Sequence, residues 1–151
     1  MERIQVRARP EPVEIETGRT AVIVVDMQND FGSKGGMFDR AGIDISPIPA
    51  IVPRIADVIA DARAAGMTLV FLRQQHSPDL SDTGGPQSPH WVKHRRMQLG
   101  EVFLAPDGTV GRVLVRETWN TDNVPGLAPE PGDLVVGKSR FSGFFNTDLD
   151  V

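Results

Sequence analysis

The stretch T-A-V-I-V-V-D-M-Q-N-D-F, residues 20–31, decides the fold. Ala21 to Val25 is an unbroken apolar run, and Asp26 follows at once with no Gly or Pro between. A run without polar alternation reads as a strand, 20–27, buried on both faces, as in a parallel sheet covered by helices. Asp26 would then stand at the strand's carboxyl end, where open α/β sheets build their sites.

Outward from that strand, residues 28–46 read as a long loop. Ser46 followed by Pro47 announces a helix, with Ser as N-cap and Pro at N1. It should run to about Ala65, with Ile51, Ile55, Val58, Ile59 and Ala62 as its buried stripe and Gly66 as its C-cap. T-L-V-F-L-R, 68–73, is a second buried strand, and a right-handed crossover makes it parallel to the first. Residues 76–111 are irregular and polar, a length that marks a functional or disordered loop. R-V-L-V-R, 112–116, reads as a short edge strand, and P-E-P-G-D, 129–133, as a turn feeding a further strand, L-V-V-G-K. Residues 1–19, charged and broken by Pro, read as an arm wrapping the domain. Asn146 or Thr147, with Asp148 and Asp150 behind it, announces a last helix, and Thr147 with Asp150 makes a weak capping box.

At 151 residues the chain holds one domain. A hydrophobic content of 40% and a charged content of 24% suit a globular protein in water. The net charge of −4 gives no support to a nucleic-acid or anionic-membrane partner. No apolar run approaches the roughly 18 residues of a membrane span. Met1 to Pro10 lacks the apolar core of a signal peptide, so a cytoplasmic protein is expected. With no Cys, disulfides and thiolate metal sites within these residues are excluded. Three or four strands with one long helix leave a parallel sheet under-covered. The expectation is therefore that 20–151 is the N-terminal part of a single larger α/β domain, incomplete at its C-terminus.

Lys138, after L-V-V-G, should share the sheet edge with Asp26, where a carboxylate and an ammonium converge on one crevice. An ordinary structural ion pair is the competing reading. G-D-L-V-V-G-K-S, 132–139, matches the phosphate-loop expression in letters only, because D-L-V-V reads as strand and R-F-S-G-F-F as loop. His76, His90 and His94 fit no compact metal spacing and read as solvated or substrate-facing. Lys93, His94, Arg95 and Arg96 read as a solvated basic run. Phe141, Phe144 and Phe145, beyond Lys138, can wall a small pocket or simply pack under their loop.

Four segments together carry a resemblance: V-V-D-M-Q-N-D-F, G-G-M-F-D-R-A-G-I-D-I, G-G-P-Q-S-P and P-G-D-L-V-V-G-K-S-R-F-S-G-F-F-N-T-D-L-D. Over about residues 15–151 the chain resembles the isochorismatase-like cysteine hydrolases, and its last segment resembles their ureidoacrylate amidohydrolase branch. The resemblance implies a three-layer αβα fold around a six-stranded, mainly parallel, Rossmann-like sheet. It implies an Asp-Lys-Cys triad, with Asp26 as general base and Lys138 orienting and polarising the site. The nucleophilic Cys would lie in a C-terminal segment that these residues do not include. The implied reaction is hydrolysis of a small amide or ureido acid through a thioester, with no cofactor, in a homo-oligomer. Zinc-dependent relatives carry D-x-H after the second strand; here R-Q-Q-H, 73–76, implies no metal. Gln74 and His76 stand where ureidoacrylate enzymes tend to carry Asn and Trp, so both are expected to face the substrate.

Overall fold

The structure, a computed structural model, describes residues 2–150. Its centre is a parallel three-stranded sheet, order β3 (Ala21–Val25), β4 (Thr68–Gln74), β7 (Leu134–Lys138). The crossover from β3 to β4 is α3 (Pro47–Ala64). Pro47 fixes the helical φ at its first position. Ser46 makes no side-chain cap, against expectation: at φ −54° and ψ −30° it is already helical rather than in the extended geometry of a capping residue, and its N–H donates to Asp44 Oδ1 at 2.9 Å. At the other end Gly66 takes φ +70°, the left-handed turn that only glycine adopts without strain.

Val22 and Val24 of β3 and Leu69 and Phe71 of β4 face α3 and pack with Ile59, Ala62, Val124 and Leu127. Ile51 and Val58, expected in the helix's buried stripe, are exposed at 46% and 53%. The opposite sheet face carries Ile23, Val25 and Leu134, and among the described residues it has little cover. Those side chains are 44%, 51% and 53% exposed, which corrects the reading of β3 as buried on both faces. Gly143, in the turns after β7, lies against Leu72 on that side.

The expected arm is a hairpin: β1 (Arg3–Val6) pairs antiparallel with β2 (Val13–Glu16), and Arg3 bridges Glu14 and Glu16. The expected loops hold regular elements. Residues 28–46 contain α1 (Asn29–Gly32) and α2 (Met37–Arg40). Gly36 joins them where a Cβ would run into the Asn29 carbonyl, so no other residue fits. Residues 76–111 contain α4 (Pro89–Arg95), whose Ser88 hydroxyl accepts from Trp91 N at 3.1 Å, and β5 (Val102–Leu104), which pairs with β6 (Val110–Arg112). Together these segments close a second core of Met37, Leu99, Val113 and Leu114 over the carboxyl end of the sheet.

R-V-L-V-R is not a strand beyond Arg112. Leu114 turns left-handed at φ +52°, its N–H goes to Asp30, and Val115 keeps one bridge to His76. The helix expected after Asn146 is absent from the described residues, which continue in turns to Asp150. Asn146 is at φ +52°, and the Thr147 hydroxyl donates back to Gly143 O. No helix among the described residues is long and apolar enough to cross a membrane.

Candidate active site

Three strand ends meet at one edge. Gln74 and Lys138 are register partners on adjacent strands, and Asp26 follows β3 on the far side of β4. Adjacent strands lie about 4.8 Å apart, so only a long side chain crosses β4 to reach Asp26. Lys138 does: Nζ donates to Asp26 Oδ2 at 2.9 Å and, on its way over, to Gln74 Oε1 at 3.2 Å. Its side chain is 2% exposed, whereas that of Asp26 is 34% exposed. Asp26 Oδ1 is buried and has no hydrogen-bond partner among the described residues. Asp26 itself stands at φ +55°, a left-handed kink that costs a non-glycine residue about 1–2 kcal/mol.

That kink ends the backbone ladder of β3, and Gln28 replaces it with a side chain. Gln28 Oε1 accepts from Gln74 N at 2.7 Å, and Nε2 donates to Gln74 O at 3.0 Å and Thr121 O at 3.1 Å. Asp30, two residues on, is fully buried and accepts from Met37 N, Leu114 N and Asn120 Nδ2 at 3.0, 2.6 and 2.5 Å. Burial raises its carboxyl to about 6 in spite of these donors. Gln28, Asp30 and Asn120 were given no role by sequence. No periodic signal marked them, because the chain leaves the strand at Asp26 and Asp30 already lies in α1.

The cavity at this edge, about 280 Å³, is walled by Phe31, Met37, Phe38, Met97 and Phe141. Its polar lining is Asp26, Gln74, Lys93 and His94. Lys93 Nζ lies 4.6 Å from the Phe141 ring centroid. Phe144 and Phe145, expected in the pocket wall, do not line it and are 63% and 55% exposed. His76, expected to face substrate, lies behind Gln74 and has no exposure; it borders a separate polar cleft with Asp82 and Arg116. Of the three histidines expected to be solvated or substrate-facing, His94 lines this cavity, and all three are buried together rather than solvated, with ring centroids 4.2 to 6.2 Å apart. Desolvation holds all three below the usual imidazole range, His90 at about 4, with neighbouring positive charge adding to the effect. Among the described residues no group of three or more His, Cys, Asp and Glu is arranged to hold a metal. The 132–139 segment that imitates a phosphate loop is strand β7, with its lysine committed to Asp26.

Known proteins resemble this chain in sequence and in fold. Residues 20–151 match the isochorismatase domain. The chain is 46% identical over 143 residues to the ureidoacrylate amidohydrolase RutB of Methylorubrum extorquens, which covers 95% of this chain and 56% of that protein. The corresponding protein of Stutzerimonas stutzeri is 42% identical over 149 residues, covering 99% of this chain and 59% of its own. Among solved structures, a cysteine hydrolase from Pseudomonas syringae pv. phaseolicola superposes with a TM-score of 0.68 at 34% identity, over 90% of this chain and 54% of that one. An isochorismatase family protein from Desulfovibrio vulgaris gives 0.59 at 30% identity, over 86% and 57%. The chain thus spans a little over half the length of these relatives. With the parallel sheet, its strand-end Asp-Lys pair and a match over residues 20–151, the chain belongs to the isochorismatase family.

Proposed function

We propose that this chain supplies the Asp-Lys half of a cysteine-dependent hydrolase that cleaves a C–N bond in a small linear amide or ureido acid. The observation that carries the reading is the asymmetry of Asp26. Lys138 anchors Oδ2, while Oδ1 is buried with no partner among the described residues. A carboxylate held by one oxygen presents the other in a single orientation, which suits a general base.

The nucleophile of this reading is a cysteine, a residue type absent from these 151 positions. Asp26 Oδ1 takes the thiol proton, and the thiolate attacks the amide carbonyl. The proton returns from Asp26 to the departing amine as the C–N bond breaks. Asp26 then takes a proton from the water that hydrolyses the thioester and restores the thiol. Lys138 keeps Asp26 in place throughout. The cavity supports the substrate class. Its apolar walls suit a short carbon skeleton, and the Lys93 ammonium at its lining suits an acid group. The names carried by the relatives of Methylorubrum and Stutzerimonas point the same way.

The test is ammonia release by the gene's complete product from ureidoacrylate, 3-ureidopropionate, an N-carbamoyl amino acid and biuret. Turnover of the ureido acids ahead of biuret is expected. Absence of ammonia from every amide would sink the reading.

A further inference from the structure

The donor and acceptor atoms around Lys138 admit one assignment. An ammonium only donates, so the Gln74 atom 3.2 Å from Nζ is the carbonyl oxygen. The amide nitrogen of Gln74 then faces His76 Nε2 at 3.3 Å, and an amide nitrogen also only donates. His76 Nε2 is therefore the bare nitrogen of the ring, and Nδ1 carries the proton. That proton points at Asp82 Oδ1, 3.0 Å away.

Neighbouring groups agree. His90 Nε2 is also 3.3 Å from His76 Nε2 and shares that atom's one lone pair with the Gln74 amide as a second donor, a bifurcated contact in keeping with both long distances, and His90 Nδ1 becomes the bare nitrogen. That atom is buried without a partner among the described residues, as an unprotonated acceptor can be at less cost than a donor. His94 Nδ1 donates to His90 O at 2.8 Å.

We infer that Asp82 is a positioning residue for Lys138, acting through His76 and Gln74. A line of hydrogen bonds with a carboxylate at each end holds the ammonium: Asp82 to His76, His76 to Gln74, Gln74 to Lys138, Lys138 to Asp26. From the ammonium the bonds run outward to both carboxylates. Lys138 donates to Asp26 on one side and to Gln74 on the other, and Gln74 to His76 and His76 to Asp82 continue in that second direction, so those three bonds polarise one another. Asp82 fixes the imidazole tautomer, the tautomer fixes which way the Gln74 amide faces, and the amide oxygen fixes Nζ above β4. Reversing the His76 tautomer would set an N–H against the Gln74 NH₂. The amide would then flip and turn NH₂ toward the ammonium. Asp82 also holds its own turn, accepting from Ser77 N at 3.0 Å through Oδ2 and from Arg140 Nη1 at 2.5 Å through its backbone carbonyl. Asn at 82 keeps the carbonyl and the size but offers one side-chain oxygen to two donors.

The inference rests on Lys138 as the group that orients Asp26, and it is tested on the ammonium itself. Nitrogen-15 NMR should show His76 as the Nδ1–H tautomer and a Lys138 ammonium signal protected from exchange with water. In Asp82→Asn the tautomers should mix and the ammonium signal should broaden. In Gln74→Leu the tautomer should persist while the ammonium signal broadens equally. Asp82→Glu should restore both. In the complete product, kcat for Asp82→Asn should fall about tenfold at unchanged KM, the scale on which residues supporting a site act. A His76 Nε2–H tautomer in the unmodified protein would overturn the inference. So would an Asp82→Asn protein whose Lys138 signal is unchanged. Intact NMR behaviour with no amide hydrolysis would sink the proposed function and leave this line of bonds standing; the reverse pairing would do the opposite.

Discussion

The carboxyl edge of the sheet and the face away from α3 invert the usual rule of burial. At the carboxyl edge, Gln28, Asp30, His76 and Asn120 are polar and have no exposure. On the sheet face away from α3, Ile23, Val25 and Leu134 are apolar and about half exposed. The edge is closed by hydrogen bonds that consume nearly every donor and acceptor, whereas the face is a plain apolar surface with few fixed contacts. Stability and geometry should therefore be sensitive to small polar changes at the edge and tolerant of larger ones on the face.

The largest expected effect is on chemistry. Asp26→Asn in the complete product should lower turnover about 10²–10⁴-fold, because an amide cannot take the thiol proton. Circular dichroism should be unchanged. Near-normal kcat would make the carboxylate a structural partner of Lys138 and nothing more. Asp30→Asn comes next. It sets an NH₂ against one of three N–H donors and should destabilise the protein by about 1–3 kcal/mol in denaturant melts. A loss under about 0.5 kcal/mol would show that hydrogen bonding does not hold the edge together.

Acidity offers a subtler probe. His90 is held at about 4, below its ordinary 6.5, so folding favours the neutral ring. A depressed group contributes stability that is full above the unfolded value and lost as pH falls through the folded one. His90 should therefore weaken the fold between about pH 6.5 and 4. Asp30, raised from 3.8 to about 6, has the opposite sign: its contribution is full below pH 3.8 and lost as pH rises through 6. His90→Gln should make the acid-side loss shallower, with His76 and His94, also held below the ordinary imidazole range, supplying what remains of it. An unchanged pH profile in that variant would mean that His90 titrates as if exposed. The smallest effect belongs to the face. Ile23→Thr should move stability by no more than about 0.5 kcal/mol. A cost of about 2 kcal/mol would show that the face is covered in solution, and the comparison would fail there.

The same contrast explains what the sequence discloses. Asp26 and Lys138 were legible because an apolar run names its own strand, and strands in a parallel sheet end at one edge. The helix from Pro47 and the strand from Leu134 were legible for the same local reasons. Gln28 bonding across 46 residues to Gln74, and Asp30 across 84 residues to Leu114, leave no periodic trace. R-V-L-V-R misled because strand propensity lost to the Asp30 carboxylate, which takes the Leu114 N–H away from any ladder. His76 looked like a substrate contact because it stands where ureidoacrylate enzymes tend to carry Trp. Its burial depends on α4, which brings His90 and His94 down on it from 14 and 18 residues further along. Ile51 and Val58 have the helical spacing of a buried stripe, but spacing names a face and not what covers it.

The positive φ of Asp26 has a practical consequence for dissecting the reaction. Glycine is at ease at +55°, and alanine is not. Asp26→Gly should keep the kink, keep Gln28 in its place on Gln74, and delete only the carboxylate. What remains is a slot beside the Lys138 ammonium, open to small anions supplied from the buffer. Millimolar formate or acetate should then restore part of the lost turnover to the glycine variant. Asp26→Ala, strained at the same bend, should be restored less. Chemical complementation of this kind would separate the backbone's contribution to this position from that of the side chain it carries.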